Sequence, residues 1–161
     1  MLQLHNLHPF ITEAEIEEAI PFIEHIGATK NRAYLPVLLK QLEQTESNKL
    51  RNVIAIALSD IADNVAVKPL IEMLQHPKTI KSRGTLLYAL ENLDYRPYIE
   101  VITGLLDSPA IEVRFQSFTL LESIADSLTE SEKKACSSII IQKLEANQDE
   151  ILIEAQQLFN M

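Results

Sequence analysis

Apolar residues recur at spacings of three and four along almost the whole chain. Ile54, Ala57, Leu58 and Ile61 are followed by Val67, Leu70, Ile71 and Leu74 in the same rhythm. That rhythm belongs to helices with one buried stripe. It predicts helices over 12–26, 31–44, 48–62, 65–75, 79–92, 96–106, 110–126, 130–146 and 149–159. No stretch alternates with period two for long enough to make a strand. Start signals agree with the pattern. Thr12 with Glu15, Thr129 with Glu132 and Asn147 with Glu150 each fit a capping box, in which side chains and backbone N–H groups satisfy one another. Ser108 before Pro109 reads as a cap followed by a first-turn proline. Gly27 stands where a helix ends in a left-handed residue.

The pattern also repeats. Segments beginning near Leu50, Ser82 and Val113 each carry an arginine in second position, at Arg51, Arg83 and Arg114, spaced by 32 and 31 residues. Seven residues after each comes a large apolar group (Leu58, Leu90, Leu121), and three further another (Ile61, Leu93, Ile124). Leu42, Leu74 and Leu105 precede the arginines at one fixed offset. A fainter copy around Ile16–Ile26 comes first. A truncated one, with Leu152 in the arginine's place, comes last, and an insertion falls around 127–134. A period of this length means stacked supersecondary units, each unable to bury its apolar face alone. The units run over about 12–46, 47–78, 79–109 and 110–148, with a closing helix at 149–161 and an N-terminal extension at 1–11. Together they make one repeat domain over 1–161.

The unit Val/Leu-Arg-x5-Ala-Leu-x2-Ile, a polar loop, and then Pro-Leu-Ile-x2-Leu before a loop with proline resembles a HEAT repeat. The match is best over 50–77. More narrowly it resembles the bacterial kind found in phycobilisome lyase subunits and small standalone proteins. The resemblance implies an all-α, right-handed α-solenoid of about four and a half helix pairs, about nine helices, whose second helices line the concave side. It also implies a ladder of Asp–Arg pairs between units. Asp107 and Arg114 match that pair, while Gln44 and His76 stand where the other aspartates belong.

Composition narrows the function. In 161 residues, 23 acids face 14 Lys and Arg, for a net charge of −9. Such a surface repels phosphate backbones and anionic lipid and favours basic partners, so neither nucleic acid nor membrane is expected as a partner. The longest apolar run is far too short for a bilayer span. The first 29 residues hold no Lys or Arg, which does not fit a secretory signal. The lone Cys136 leaves no internal disulfide. A cytoplasmic protein is expected.

Catalytic constellations are missing from the pattern. His5 and His8 form the one close histidine pair, without further ligands in register. No His-Glu dipeptide of the di-iron HEAT-like enzymes occurs, and three glycines cannot build a phosphate loop. Cys136, beside Lys133 and Lys134, has no partner base and reads as a structural thiol. No cofactor is expected, and the chain reads as a non-enzyme.

The remaining signal is a recognition surface. Glu43, Glu72 and Glu100 fall on three successive second helices. Between 99 and 132 the chain holds seven acids, Asp107 among them, against Arg114 alone. Tyr98 and Phe115 stand beside these carboxylates, a mixture suited to protein contacts. Tyr88 and Tyr95 belong to the same region. These six residues, Glu43, Glu72, Glu100, Tyr98, Asp107 and Phe115, form the expected partner-binding set. The expected function is a protein-binding module, most concretely an acidic inhibitor such as an immunity protein blocking a basic toxin or nuclease. Immunity proteins similar to HEAT repeats fit that reading. The alternatives are an accessory subunit or chaperone of the phycobilisome-lyase kind and a structural adaptor. The sequence leaves the oligomeric state open.

Overall fold

A computed structural model describes residues 12–160. The described residues form nine α-helices joined by short turns, with no strand among them. Two compact units divide the chain, 1–94 and 95–161. The first holds α1 (Glu13–Ala28), α2 (Leu35–Gln44), α3 (Asn48–Ile61), α4 (Val67–Gln75) and α5 (Arg83–Ala89). The second holds α6 (Ile99–Thr103), α7 (Ile111–Ile124), α8 (Glu130–Ala146) and α9 (Glu150–Phe159). Each α-helix lies within a helix the periodicity predicts, apart from one or two residues at the ends. The shortfall is made up by 3₁₀ turns, at Arg32–Tyr34 before α2, Asn64–Ala66 before α4 and Arg96–Tyr98 before α6.

In the first unit α1 packs on α3 and α3 on α5, while α2 packs on α4 and closes over α3. First helices therefore form one layer and second helices another. The core lies between them. Ile23, Leu38, Leu42, Ile54, Leu58, Leu70, Leu74, Leu86, Leu87 and Leu90 are wholly buried there. The second unit repeats the scheme, with α7 against α9, α6 against α8, and Leu121, Cys136, Ile140 and Leu152 inside. Burial of this extent is what holds such short helices together.

The capping boxes at Thr12–Glu15 and Thr129–Glu132 both form. Three other expected caps are corrected. Asn147 closes α8, and Asp149 caps α9 through the N–H of Ile151. Ser108 accepts from the N–H of Ala110 in the turn, and α7 starts two residues past Pro109 with Ala110 as its cap. Gly27 lies inside α1, and the left-handed residues are Lys30 (φ 51°) and, after α3, Ala62 (φ 56°). Glycine is needed at 27 for closeness instead. A Cβ there would come within 2.9 Å of the Ala57 Cα on α3.

The arginine ladder is also rebuilt. Arg51 is fully buried, and its guanidinium donates to the Leu42 carbonyl (3.3 Å), to the Thr45 carbonyl and to Asn48 Oδ1 (2.6 Å). It thus ties the carbonyl end of α2 to the start of α3, where a cation is favoured. Arg114 does the same to Leu106 (3.2 Å), but its second bond goes to Asp149 at the head of α9. Asp107 is held by Lys143 of α8 at 2.6 Å, so the expected Asp107–Arg114 pair is not formed. Each partner has a nearer ion from the following helix pair. At the other end, exposed acids of α1 also pair across the first-helix layer. Glu13 and Glu17 both hold Lys49 of α3.

Leu90 is 0% exposed, so Leu90→Ala should cost ~2–5 kcal/mol of unfolding free energy in denaturant titration. Gly27→Ala forces α1 and α3 apart at backbone level. It should cost about 1–3 kcal/mol despite the better helix propensity of alanine.

Candidate protein-interaction surface

On the second-helix layer of the first unit, α2 and α4 leave a cleft of about 340 Å³. Its lining is Leu39, Lys40 and Glu43 from α2 with Pro69, Glu72 and Met73 from α4 and His76 after it. Two of the three expected glutamates are thus brought together, one repeat apart on neighbouring helices. The floor is apolar and the rim is charged. Glu72 has Lys68 one turn away at 3.6 Å, an exposed pair of small energetic value. Lys40 stands in the same lining, so the cleft is less one-sidedly acidic than its two glutamates alone suggest. Lys78 donates to the Glu43 carbonyl at 2.6 Å.

Glu100 is exposed on α6 and belongs to the second unit. Tyr98 is half-buried immediately before α6, and Asp107 is occupied by Lys143. Phe115 is 57% exposed on α7. Tyr95 is core instead. Its hydroxyl donates to the Leu120 carbonyl at 2.7 Å and sits 2.7 Å from Ser123 Oγ. Tyr88 stays at the surface.

A second cleft, of about 420 Å³, escaped the sequence reading. Gly27, Ala28, Lys30, Ser59, Asp60, Ala62 and Asn92 line it, where α1 and α3 end. Gly27, Ala28, Ser59 and Asp60 come from the last turns of α1 and α3, and the others from the turns that follow. Ala28, Asp60 and Asn92 stand 32 residues apart, as do Lys30 and Ala62, a signal the residue types alone do not single out. Exposed Ile111 and Ile153 were also missed. A signal existed for Ile153, because it follows Leu152 as Phe115 follows Arg114.

Cys136 is buried, and burial pushes its thiol above the ordinary cysteine range, as do the carboxylates of Glu100 and Glu132. A thiol so placed is a poor nucleophile. Among the described residues no three His, Cys, Asp or Glu side chains converge to hold a metal. The His5 and His8 pair lies outside the described residues. No described helix is long and apolar enough to cross a membrane.

The family model of HEAT repeats matches residues 7–91, more than half of the chain. The chain belongs to the HEAT-repeat family. No curated protein matches it. HEAT repeats stack as α-solenoids, typically serve as scaffolds without catalysis, and commonly bind other proteins along the surfaces the stack presents. The match falls within the first unit, where the α2–α4 cleft lies between successive HEAT pairs. In the second unit the helix pairs are held by ion pairs between elements about one repeat apart. Arg96 grips Glu132 through two nitrogens, at 2.9 and 2.7 Å, and Arg114 grips Asp149.

Those contacts set an acid limit. The Arg96 guanidinium, with the Thr129 N–H and hydroxyl, holds Glu132 down to about 2 from 4.5. Arg114 likewise lowers Asp149. A carboxylate depressed in the folded state stabilises fully above its unfolded pKa, and the contribution fades as pH falls through the folded value. The melting temperature should therefore drop as pH is lowered from 4.5 towards 2. Glu132→Gln should flatten that slope, read by thermal denaturation monitored by circular dichroism at stepped pH.

Proposed function

We propose that this HEAT-repeat chain is a non-enzymatic, cytoplasmic protein-binding module that captures and blocks a basic protein. The concrete form is an acidic inhibitor, an immunity protein against a basic toxin such as a nuclease. The observation that carries the reading is the α2–α4 cleft, with Glu43 and Glu72 on its rim above Leu39 and Met73. A lysine or arginine of the partner would lay its methylene stem on that floor and its cationic head between the carboxylates. The surplus of acids over bases, 23 against 14, adds a long-range field that speeds capture of a positively charged protein. In a nuclease the groups kept for phosphate would meet carboxylates instead, and the bulk of the repeats would exclude substrate.

Glu43 and Glu72 are exposed. The double variant Glu43→Lys/Glu72→Lys should unfold within about 0.5 kcal/mol of the parent, as surface substitutions do. Immobilised parent protein should retain a basic protein from the source cells and inhibit it. The double variant should associate with that protein at least about tenfold more slowly at low salt. Equal association rates for parent and variant would remove the cleft from the binding surface, and a captured partner of acidic charge would overturn the reading itself.

A further inference from the structure

Exposed apolar side chains are unevenly divided between the two helix layers. Of nine large ones among the described residues, six stand on first helices and one, Ile141, on a second helix. Two of the six, Ile111 and Phe115, lie one turn apart on α7, at 51% and 57% exposure, so they share a face. The neighbouring helix α9 packs along α7, and the Arg114–Asp149 ion pair fixes its head there. On α9, Ile153 occupies the repeat position that Phe115 occupies on α7, and it is 41% exposed.

Charge distinguishes this face from its counterpart in the first unit. Two residues ahead of each repeat arginine stand Lys49 and Lys81 on the α3 and α5 side. The same position is Glu112 on α7 and, two ahead of Leu152, Glu150 on α9. Glu154 follows Ile153 directly. Glu112, Glu150 and Glu154 are all exposed, and the local cation, Arg114, is committed to Asp149 and the Leu106 carbonyl. At these repeat positions the rim charge reverses, and the position after the arginine changes from Asn52 and Gly84 to Phe115 and Ile153.

We propose that the α7–α9 face is a second docking surface, for a basic amphipathic helix of a partner protein. Ile111, Phe115 and Ile153 receive the helix's apolar stripe, and lysines or arginines flanking that stripe meet Glu112, Glu150 and Glu154. This is the helix-on-apolar-face mode of recognition, with an aromatic anchor at its centre and charged residues at its rim. A second copy of the chain fits poorly. A twofold contact would bring the same acids face to face without cations between them. The surface lies on the first-helix layer and does not rest on the α2–α4 cleft.

The test uses the full chain and a fluorescently labelled leucine–lysine peptide patterned to form one apolar helical face, at physiological salt. Anisotropy titration should show binding that Ile111→Ser/Phe115→Ser weakens at least about tenfold, with an unchanged thermal melt. The Glu43→Lys/Glu72→Lys variant, which loses the cleft's carboxylates and part of the long-range field, should weaken peptide binding far less than the double-serine variant does, because at this salt distant charges are screened. A scrambled peptide of the same composition, lacking the apolar face, should bind at least about tenfold more weakly. The proposal is overturned if the double-serine variant binds as tightly as the parent, or if the scrambled peptide matches the patterned one. It is overturned equally if the cleft variant alone loses the peptide. A dimer in sedimentation that disappears in the double-serine variant would assign the face to self-association and also overturn it.

Discussion

Helices of ten, nine and five residues, the lengths of α2, α4 and α6, do not persist alone in water. Nucleation costs too much for so few hydrogen bonds, and isolated helices below about 12–15 residues are marginal. They exist here because each lays its apolar stripe into a neighbour, and every other feature answers to that requirement. Layers of first and second helices follow from it, since a pair has two faces to cover and one partner of its own. The close approach at Gly27 follows as well. Where α1 and α3 share a seam, the distance between backbones sets how well the stripes interlock, and one methyl group is too much.

The same requirement explains the buried charge. Stacking pairs end to end leaves the carbonyl terminus of each second helix facing the start of the next first helix. Those carbonyls would be unsatisfied away from water. Arg51 supplies donors to two of them from a position without solvent exposure, and burial lowers its pKa only in part because Glu46 opposes the loss. In the second unit the outward reach of Arg114 to Asp149 makes the arginine serve two junctions, since Asp149 itself caps α9. Two of the three repeat arginines, Arg51 and Arg114, thus make helix-end contacts, and Arg114 adds an ion pair where a carboxylate lies within reach.

The fold was legible because periodicity and repeat offset are both written in residue types. Two capping boxes were legible for the same reason, each needing only its own four residues. What failed needed distances between elements. Gly27 reads as a helix stop until α3 is seen against it. Asp107 reads as the partner of Arg114 until Lys143 arrives from α8. Asn147 and Asp149 are both good caps, and two residues of helix end decide between them. At the candidate site the pairing of Glu43 with Glu72 was legible from the repeat, as was Lys68 one helical turn ahead of Glu72. The polar cleft between Lys30 and Asn92 depends instead on how closely the ends of α1 and α3 approach, which residue types do not record.

A repeat protein duplicates its surfaces along with its core, so a face becomes distinctive where one copy departs from the others. The second-helix layer departs by geometry. Its α2–α4 cleft gathers carboxylates over an apolar floor, and the charge there is tempered by Lys40 and Lys68. The first-helix layer departs by chemistry. Asn52 and Gly84 hold the position that becomes Phe115 and Ile153, and Lys49 and Lys81 hold the one that becomes Glu112 and Glu150. The core positions between them stay apolar throughout, because stacking permits nothing else. Exposed positions carry no such constraint, and an exposed Phe beside carboxylates adds little to folding. Folding therefore does not require the change. That asymmetry, more than net charge, is the ground on which the two proposed interaction surfaces rest.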